Sequence, residues 1–287
     1  MTRIALGPAV VQHVRPAGAR GAAGAGTSAA FVPNATLVRR LDLSPSVARF
    51  VVRRDGSVAT HLAGQYFALG IWADGRLLQR PYSTASPPTG ASQLEFLIRR
   101  VPHGALTPRL WDLPLGARLR VGPPKGLLTL DPRLDRAALF VATGTGLAPI
   151  IAMLAALLDG PADARPPRLI VVHGVSYTAE LAYRGRLERW AASHPGVAYE
   201  PVISRPADPL NAGWSGAVGH LDVALDAAWQ RHRLDPRETV AYLCGNPEVI
   251  AAATRLLAAR GVSPDAIVAE RYWTTPIMGP SALDRAS

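Results

Sequence analysis

Arg80-Pro81-Tyr82-Ser83-Thr84-Ala85-Ser86 joins a fixed cation, an aromatic ring and hydroxyls within a run of β-compatible residues. A guanidinium's fork of donors matches phosphate oxygens. A tyrosine ring is a flat apolar face with a polar tip, and a serine hydroxyl is a small donor that fits beside a ring nitrogen. An extended backbone sends Arg80 and Tyr82 to one face and Pro81 and Ser83 to the other. Twist near a strand end can bring all three groups to one flat, phosphorylated ligand. The plain alternative is an edge strand with a proline and a solvated arginine.

A second set of small and polar residues recurs further along: Thr143-Gly144-Thr145-Gly146, His173-Gly174, Ser204-Arg205, Cys244-Gly245-Asn246-Pro247 and Glu270. Each follows a strand-like run, and together they describe a cleft built for close backbone approach, although glycine also simply terminates strands. Gly144-Thr145-Gly146-Leu147-Ala148-Pro149 joins a strand to a helix, where backbone N–H groups can face a phosphate. Pro149 replaces the usual third glycine, and no acidic residue stands clearly at the ribose-binding place. This is therefore not the ordinary dinucleotide fingerprint.

The elements that must carry these residues fall into two sets. Residues 35–41, 47–53, 65–71, 93–101, 118–121 and 126–130, with the heptapeptide among them, read as short strands. Asp55-Gly56 and Asp74-Gly75 mark turns, so the expectation is a small antiparallel barrel. One helix interrupts it, with Thr107 as N-cap, Pro108 at the first position and Leu110, Trp111 and Leu113 on its apolar side. Near Asp135 the period changes. Strands at 137–143, 168–173, 197–204, 239–244 and 266–270 alternate with helices at 148–158, 179–192, 221–229 and 248–260, the pattern of a Rossmann-like parallel sheet covered on both faces. The expected division is a poorly ordered Ala/Gly-rich extension (1–34), a β-barrel (35–133), an α/β domain (134–273) and a C-terminal tail (274–287).

Composition narrows the function. The 287 residues are enough for two domains, a mean hydropathy of +0.12 fits a soluble globular protein, and a cytoplasmic location is expected. No apolar run is long enough to span a bilayer. Cys244 is the only cysteine, which excludes an intrachain disulfide, a multi-cysteine zinc site and a four-cysteine iron–sulfur cluster. The net charge of +10 points to acidic partners, while the dominance of arginine and alanine also fits biased base composition. No basic cluster interleaves with aromatics, so nucleic acid is not expected. The first 33 residues contain Arg3, Arg15 and Arg20 and no acid, and lack a signal-peptide core.

Taken together, Arg80-Pro81-Tyr82-Ser83, the stretch from Val101-Pro102-His103-Gly104 to Arg109-Leu110, Ala142-Thr143-Gly144-Thr145-Gly146-Leu147-Ala148-Pro149, Cys244-Gly245-Asn246-Pro247 and Ala269-Glu270-Arg271-Tyr272-Trp273 resemble the bacterial branch of the ferredoxin/flavodoxin–NADP reductase family. They stand in the family's order and span about 35–273. The resemblance implies FAD in the barrel and NADP(H) on the parallel sheet, NAD(H) being the alternative. By this resemblance Arg80 holds the FAD pyrophosphate, Tyr82 lies against the isoalloxazine, Ser83 donates towards flavin N5, and Pro81 is among the cofactor-binding residues. The backbone of Leu97, Ile98 and Arg99 follows the flavin, and Ala105, Leu106 and Thr107 receive the pyrophosphate. Thr143, Gly144, Thr145, Gly146, Ser176, Ser204, Arg205, Gly245 and Pro247 would serve the nucleotides, Tyr272 would cover the flavin and Trp273 would stack on adenine.

Ser83, Cys244 and Glu270 are the candidates nearest the hydride path, Cys244 as a buried thiol and not a nucleophile. The chemistry implied is hydride exchange with NADP(H) and single-electron exchange with an acidic ferredoxin or flavodoxin by a monomer, without metal or membrane. Three features depart from the family. Ser176 and Ala217 stand where NADP-specific members often carry arginine, leaving Arg205, with Arg184 nearby, to meet a 2′-phosphate. The chain also continues past the usual Tyr-Trp end. An oxygenase reductase component and a flavin-binding sensor or interaction module without turnover are the rival readings.

Overall fold

The computed structural model describes residues 32–56, 60–131, 134–159 and 167–272. Short alternating runs form β1 (Ala35–Ser44), β2 (Val47–Arg54), β3 (Tyr66–Ala73), β4 (Arg76–Ser83), β5 (Gln93–Arg99) and β6 (Arg118–Lys125). They make one antiparallel sheet in the order β4-β3-β6-β1-β2-β5. A bridge from Thr84 to Phe96 joins its two edge strands, so the sheet curls into a barrel. Period-two burial sends Leu37, Phe50, Phe67, Leu94, Phe96 and Leu119 inward to fill it.

Two expectations fail in this half. Residues 126–130 form no strand: Gly126 turns the chain at φ 109°, and Leu128 packs in the apolar cluster that the barrel shares with the first α-helix of the second half. Thr107 is not an N-cap. It is the first residue of the single-turn α1 (Thr107–Trp111), and Leu106 occupies the cap position. The Thr107 hydroxyl instead accepts from the Val101 N–H at 2.9 Å and donates to the Val101 carbonyl at 3.2 Å, pinning the preceding loop.

The second half alternates as its sequence period requires. β7 (Ala137–Thr143), α2 (Leu147–Leu158), β8 (Leu169–Val175), α3 (Arg184–Ser193), β9 (Val197–Ile203), β10 (Ala217–Val218), α4 (Leu221–Arg231), β11 (Thr239–Gly245), α5 (Pro247–Ala259) and β12 (Ile267–Arg271) follow in order. The parallel sheet runs β10-β9-β8-β7-β11-β12. Leu187 and Trp190 of α3 pack with α2 on one face, and Leu225 and Trp229 of α4 pack with Ile250 and Leu257 of α5 on the other. The strands are near-continuous apolar runs because both faces are covered. The helix expected over 179–192 is shorter. A 3-10 turn at Thr178–Glu180 comes first, Tyr183 then adopts a left-handed φ of 57°, and α3 begins only at Arg184.

One apolar cluster belongs to both sheets. Val47, Ala63, Ala85, Leu97 and Leu128 meet Leu147, Ile150, Met153 and Leu154 of α2 in it. Burial of a shared core is what fixes the barrel against the parallel sheet. No helix among the described residues is long and apolar enough to cross a membrane. Residues 1–31, which make up most of the expected extension, Trp273 and the tail 274–287 lie outside the described residues.

Candidate active site

β7 and β11 lie side by side although α2, β8, α3, β9, β10 and α4 separate them in sequence, so the strand order reverses between them. Open parallel sheets bind ligands outside the strand ends at such a point. Here the ends are locked together. The Asn246 N–H donates to Thr143 Oγ1 at 2.7 Å. Gly245 sits at φ 137°, and a Cβ there would strike Thr143 Oγ1 and the Thr143 backbone, while one on Gly146 would strike the Cys244 carbonyl. Asn246 Oδ1 accepts from the Glu248 and Val249 N–H groups and caps α5, with Pro247 in its first turn. Such a cap is worth about 1 kcal/mol.

Gly144 is held from below. Its carbonyl lies 3.1 Å from His173 Nε2, and His173 Nδ1 lies 3.3 Å from the Tyr199 hydroxyl. A carbonyl only accepts, so Nε2 carries the proton and Nδ1 accepts from Tyr199. Burial pushes His173 down to about 4, and the ring is neutral at working pH. His173 was legible only as a strand end; its grip on the turn was not.

The structure brings Ser83, Cys244, Glu270 and Tyr272 together. Ser83 closes β4 opposite Tyr66 of β3. Its buried hydroxyl donates to Glu270 Oε1 at 3.0 Å, from the barrel to the parallel sheet. Cys244 pairs with Glu270 in the β11–β12 register. Burial raises the Glu270 carboxyl to about 7. Burial, and then the Glu270 charge, pushes the Cys244 thiol up, which makes it a poor nucleophile. Tyr272 packs against the apolar cluster that holds Cys244, and its N–H donates to the Gly245 carbonyl at 2.8 Å. Two neighbours carried no sequence signal. Tyr66 is raised by burial and by Glu270, and a Cβ on Gly126 would come within 2.9 Å of the Tyr66 ring and 3.5 Å of Glu270 Oε2.

The remaining candidates lie along the barrel's edge and the other strand ends. Arg80 and Pro81 are exposed on β4, and the partly buried Tyr82 packs against the barrel core. Leu97 and Ile98 are buried and Arg99 is exposed at the end of β5. Beyond the Thr84–Phe96 bridge the outer edge of that strand has no strand partner among the described residues. Leu106 and Thr107 are buried, so of the three residues at α1 only Ala105 presents a side chain.

Thr143, Gly144 and Thr145 are partly exposed at the end of β7. Arg205 and Ser204 are exposed at the end of β9, with Ser176 opposite after β8. Buried Asn211 ties these two loops: its Nδ2 donates to the Ser176 carbonyl at 2.9 Å and the Arg205 carbonyl at 2.7 Å, and its Oδ1 accepts from the Thr178 N–H at 2.8 Å. A lone asparagine in a loop gives no hint of that span.

Residues 34–129 match the family model described as oxidoreductase FAD-binding domain, and residues 140–255 the one described as oxidoreductase NAD-binding domain. Ferredoxin–NADP reductase B of Sorangium cellulosum is 32% identical over 243 residues, covering 83% of this chain and 96% of that relative. The anthranilate 1,2-dioxygenase electron transfer component of Acinetobacter baylyi is 28% identical over 252 residues, 86% of this chain and 65% of the other. Among solved structures, an Amycolatopsis cytochrome P450 reductase superposes with a TM-score of 0.72 at 29% identity, covering 83% of this chain and 69% of that one.

The residues present fit an FAD. The Arg80 guanidinium donates to the Gln79 carbonyl at 2.8 Å and has no carboxylate partner among the described residues, which leaves its charge available to a phosphate. The partly buried Tyr82 and the buried Ser83 close β4 just before Thr84, whose bridge to Phe96 brings them beside the β5 edge. With both domain models in sequence and a ferredoxin–NADP reductase matched almost from end to end, the chain belongs to the ferredoxin–NADP reductase family of FAD- and NAD(P)-binding oxidoreductases.

Proposed function

We propose that the protein is an FAD-dependent ferredoxin/flavodoxin–NADP(+) oxidoreductase, exchanging a hydride with NADP(H) and single electrons with an acidic ferredoxin or flavodoxin. The observation that carries this reading is the match over 96% of a ferredoxin–NADP reductase, joined to a polar cluster bridging the two matched domains through Ser83 and Glu270. Bound FAD supplies the redox chemistry, accepting two electrons as hydride and releasing them singly.

The protein's own part is to bind and to align. Arg80 would neutralise the pyrophosphate, the Tyr82 ring would support the flavin's polar and apolar edges, and the β5 backbone at Leu97, Ile98 and Arg99 would supply donors and acceptors. The turn at Thr143, Gly144, Thr145 and Gly146 would receive nucleotide phosphate, close to Gly245 and Pro247. Tyr272 would exclude water from the flavin face. Ser83 would present its hydroxyl to the reacting edge, with Glu270 as its proton partner and Cys244 as an inert neighbour that leaves room for nicotinamide.

An oxygenase reductase component is the second reading. It is favoured by the similarity to the Acinetobacter electron transfer component and by Ser176 and Ala217 at places where an arginine would meet a 2′-phosphate. Anaerobic stopped-flow reduction of the purified flavoprotein by NADPH and by NADH, followed by reoxidation with ferredoxin, flavodoxin or an oxygenase, separates them. Faster reduction by NADPH and turnover with ferredoxin or flavodoxin is the expected result. Preference for NADH with transfer to an oxygenase alone would favour the second reading. A flavin bleached by neither nucleotide would mean a binding module.

A further inference from the structure

The segment between β8 and α3 leans on the barrel at two polar knots. In the first, Arg99 Nη1 donates to Glu180 Oε1 at 2.8 Å, and Ser46 Oγ stands 3.4 Å from the same oxygen. In the second, Glu95 Oε1 accepts from Arg49 Nε at 2.5 Å and from the Tyr183 hydroxyl at 2.6 Å, while the Arg49 guanidinium lies 4.6 Å from the centre of the Tyr183 ring. Arg99, Ser46, Arg49 and Glu95 belong to the barrel's strands and turns; Glu180 and Tyr183 belong to the parallel-sheet half.

Adhesion alone does not account for these knots. Glu180 is 2% exposed, and its Oε2 has no hydrogen-bond partner. A half-satisfied buried carboxylate stabilises an interface less than well-packed apolar side chains would. Tyr183 reaches Glu95 from a left-handed backbone, φ 57°, that a bulky residue rarely adopts. What both knots provide is direction. The first touches the turn after β7: Arg99 Nη2 is 3.3 Å from the place a Cβ on Gly144 would take, and the Gly144 carbonyl is held by His173 from the other side. The FAD-binding and NAD-binding halves therefore meet at a clamp that sets where this turn stands against β5.

We propose that Glu180 and Tyr183 are positioning residues for hydride transfer: by clasping Arg99 and Glu95 they fix the pose of the nucleotide-binding half against the flavin-binding half. Hydride transfer depends steeply on that pose, since a displacement near 1 Å can slow a reaction by about a hundredfold. The proposal rests on the reading that hydride passes between the two halves.

The test uses the full-length flavoprotein with Glu180→Gln and Tyr183→Phe, singly and together. Glu180→Gln keeps the shape and removes the charge; Tyr183→Phe keeps the ring beneath Arg49 and removes the hydroxyl, so it decides the matter alone should Glu180→Gln not fold. FAD content and the Kd for NADPH are expected to stay within about twofold, while the limiting rate of flavin reduction at saturating NADPH falls roughly tenfold. Reoxidation of dithionite-reduced enzyme by ferricyanide should keep its wild-type rate, because that step needs no nucleotide. Wild-type reduction rates in the variants overturn the proposal. So does a slow reduction matched by equal loss of FAD or of NADPH affinity, which would make the knots binding elements. A wild-type flavin that neither NADPH nor NADH reduces overturns the functional reading and this proposal with it; a reducible wild type with equally fast variants overturns this proposal alone.

Discussion

Ser83 Oγ donates to Glu270 Oε1 at 3.0 Å, and this bond joins the last residue of a barrel strand to the last parallel strand of the other half. While Glu270 is ionised its carboxylate accepts the hydrogen bond of the Ser83 hydroxyl. Once protonated, it can donate to Ser83 Oγ and free the serine hydroxyl to donate elsewhere.

The pH dependence follows from that exchange. Glu270 has its carboxyl raised by burial to about 7. Flavin reduction by nicotinamide nucleotide should therefore quicken as pH falls through about 7, and Ser83→Ala or Glu270→Gln should flatten the profile. Loss of a transition-state hydrogen bond in Ser83→Ala is worth about 2–4 kcal/mol if it resembles an oxyanion donor. For stability, a raised carboxylate pKa means that the folded state binds the proton more tightly. Its contribution is complete below the unfolded value near 4.5 and is lost as pH rises to about 7. Glu270→Gln should accordingly stabilise the protein at pH 8 by up to about 3 kcal/mol and change little at pH 4. Urea melts at the two pH values check this; equal shifts at both would show that Glu270 is not the titrating group.

Gly245 tests the locked strand ends. A Cβ there meets Thr143 side chain and backbone, and φ 137° is unfavourable for alanine. Gly245→Ala should cost about 1–3 kcal/mol from overpacking, with backbone strain added. Gly185 in α3 is the control, since its Cβ would meet only Arg189 Nη1 at 3.6 Å. Gly185→Ala should be neutral or stabilise by up to about 1 kcal/mol. Comparable melting temperatures for the two variants would contradict the packing argument.

The net charge of +10 leads to a third expectation. If the basic surface docks an acidic ferredoxin or flavodoxin, the rate of carrier reduction at limiting carrier should fall steeply between low and moderate salt. Exposed charges are screened beyond about 10 Å at roughly 0.1 M ionic strength. Reduction by NADPH alone is the internal comparison. A flat response to salt would assign the arginines to composition and not to docking.

How far the sequence speaks differs between levels. The period of 2 before Lys125 and the strand–helix alternation after Ala137 are local, and the two sheets follow from them. Ser83, Cys244 and Glu270 were legible as types at strand ends, and the fold brings them together. The breaks came where a distant partner outweighed local preference. Thr107 gave its hydroxyl to Val101 instead of capping α1, and Leu128 joined the cluster between the barrel and α2 instead of a strand. Tyr183 delays the start of the expected helix to Arg184, and its hydroxyl meets Glu95, 88 residues away in sequence. His173 and Asn211 hold the strand-end loops through backbone carbonyls, a role no residue type announces.

Arg205 carries the last prediction, because it bears on the choice between NADPH and NADH. Its Nη1 donates to the Tyr177 hydroxyl at 2.7 Å, and its guanidinium lies 5.5 Å from the centre of that ring. It has no carboxylate partner among the described residues and is exposed at the end of β9. Arg184, the other cation considered, already pairs with Glu188 at 2.6 Å and lies over Trp214 at 5.2 Å. With Ser176 and Ala217 uncharged, Arg205 is the better placed to meet a 2′-phosphate. Arg205→Ala should remove most of any preference for NADPH. A hydrogen bond to a charged group is worth about 1.5–3 kcal/mol, roughly tenfold to a hundredfold in the ratio of kcat/KM for the two nucleotides. Values for NADH should hardly move, because NADH has no 2′-phosphate to lose. An unchanged ratio in a wild type that prefers NADPH would assign the phosphate to Arg184 or another cation, and Arg184→Ala would then show the loss. A wild type that prefers NADH would leave Arg205 with no phosphate to recognise and bring the oxygenase-reductase reading forward.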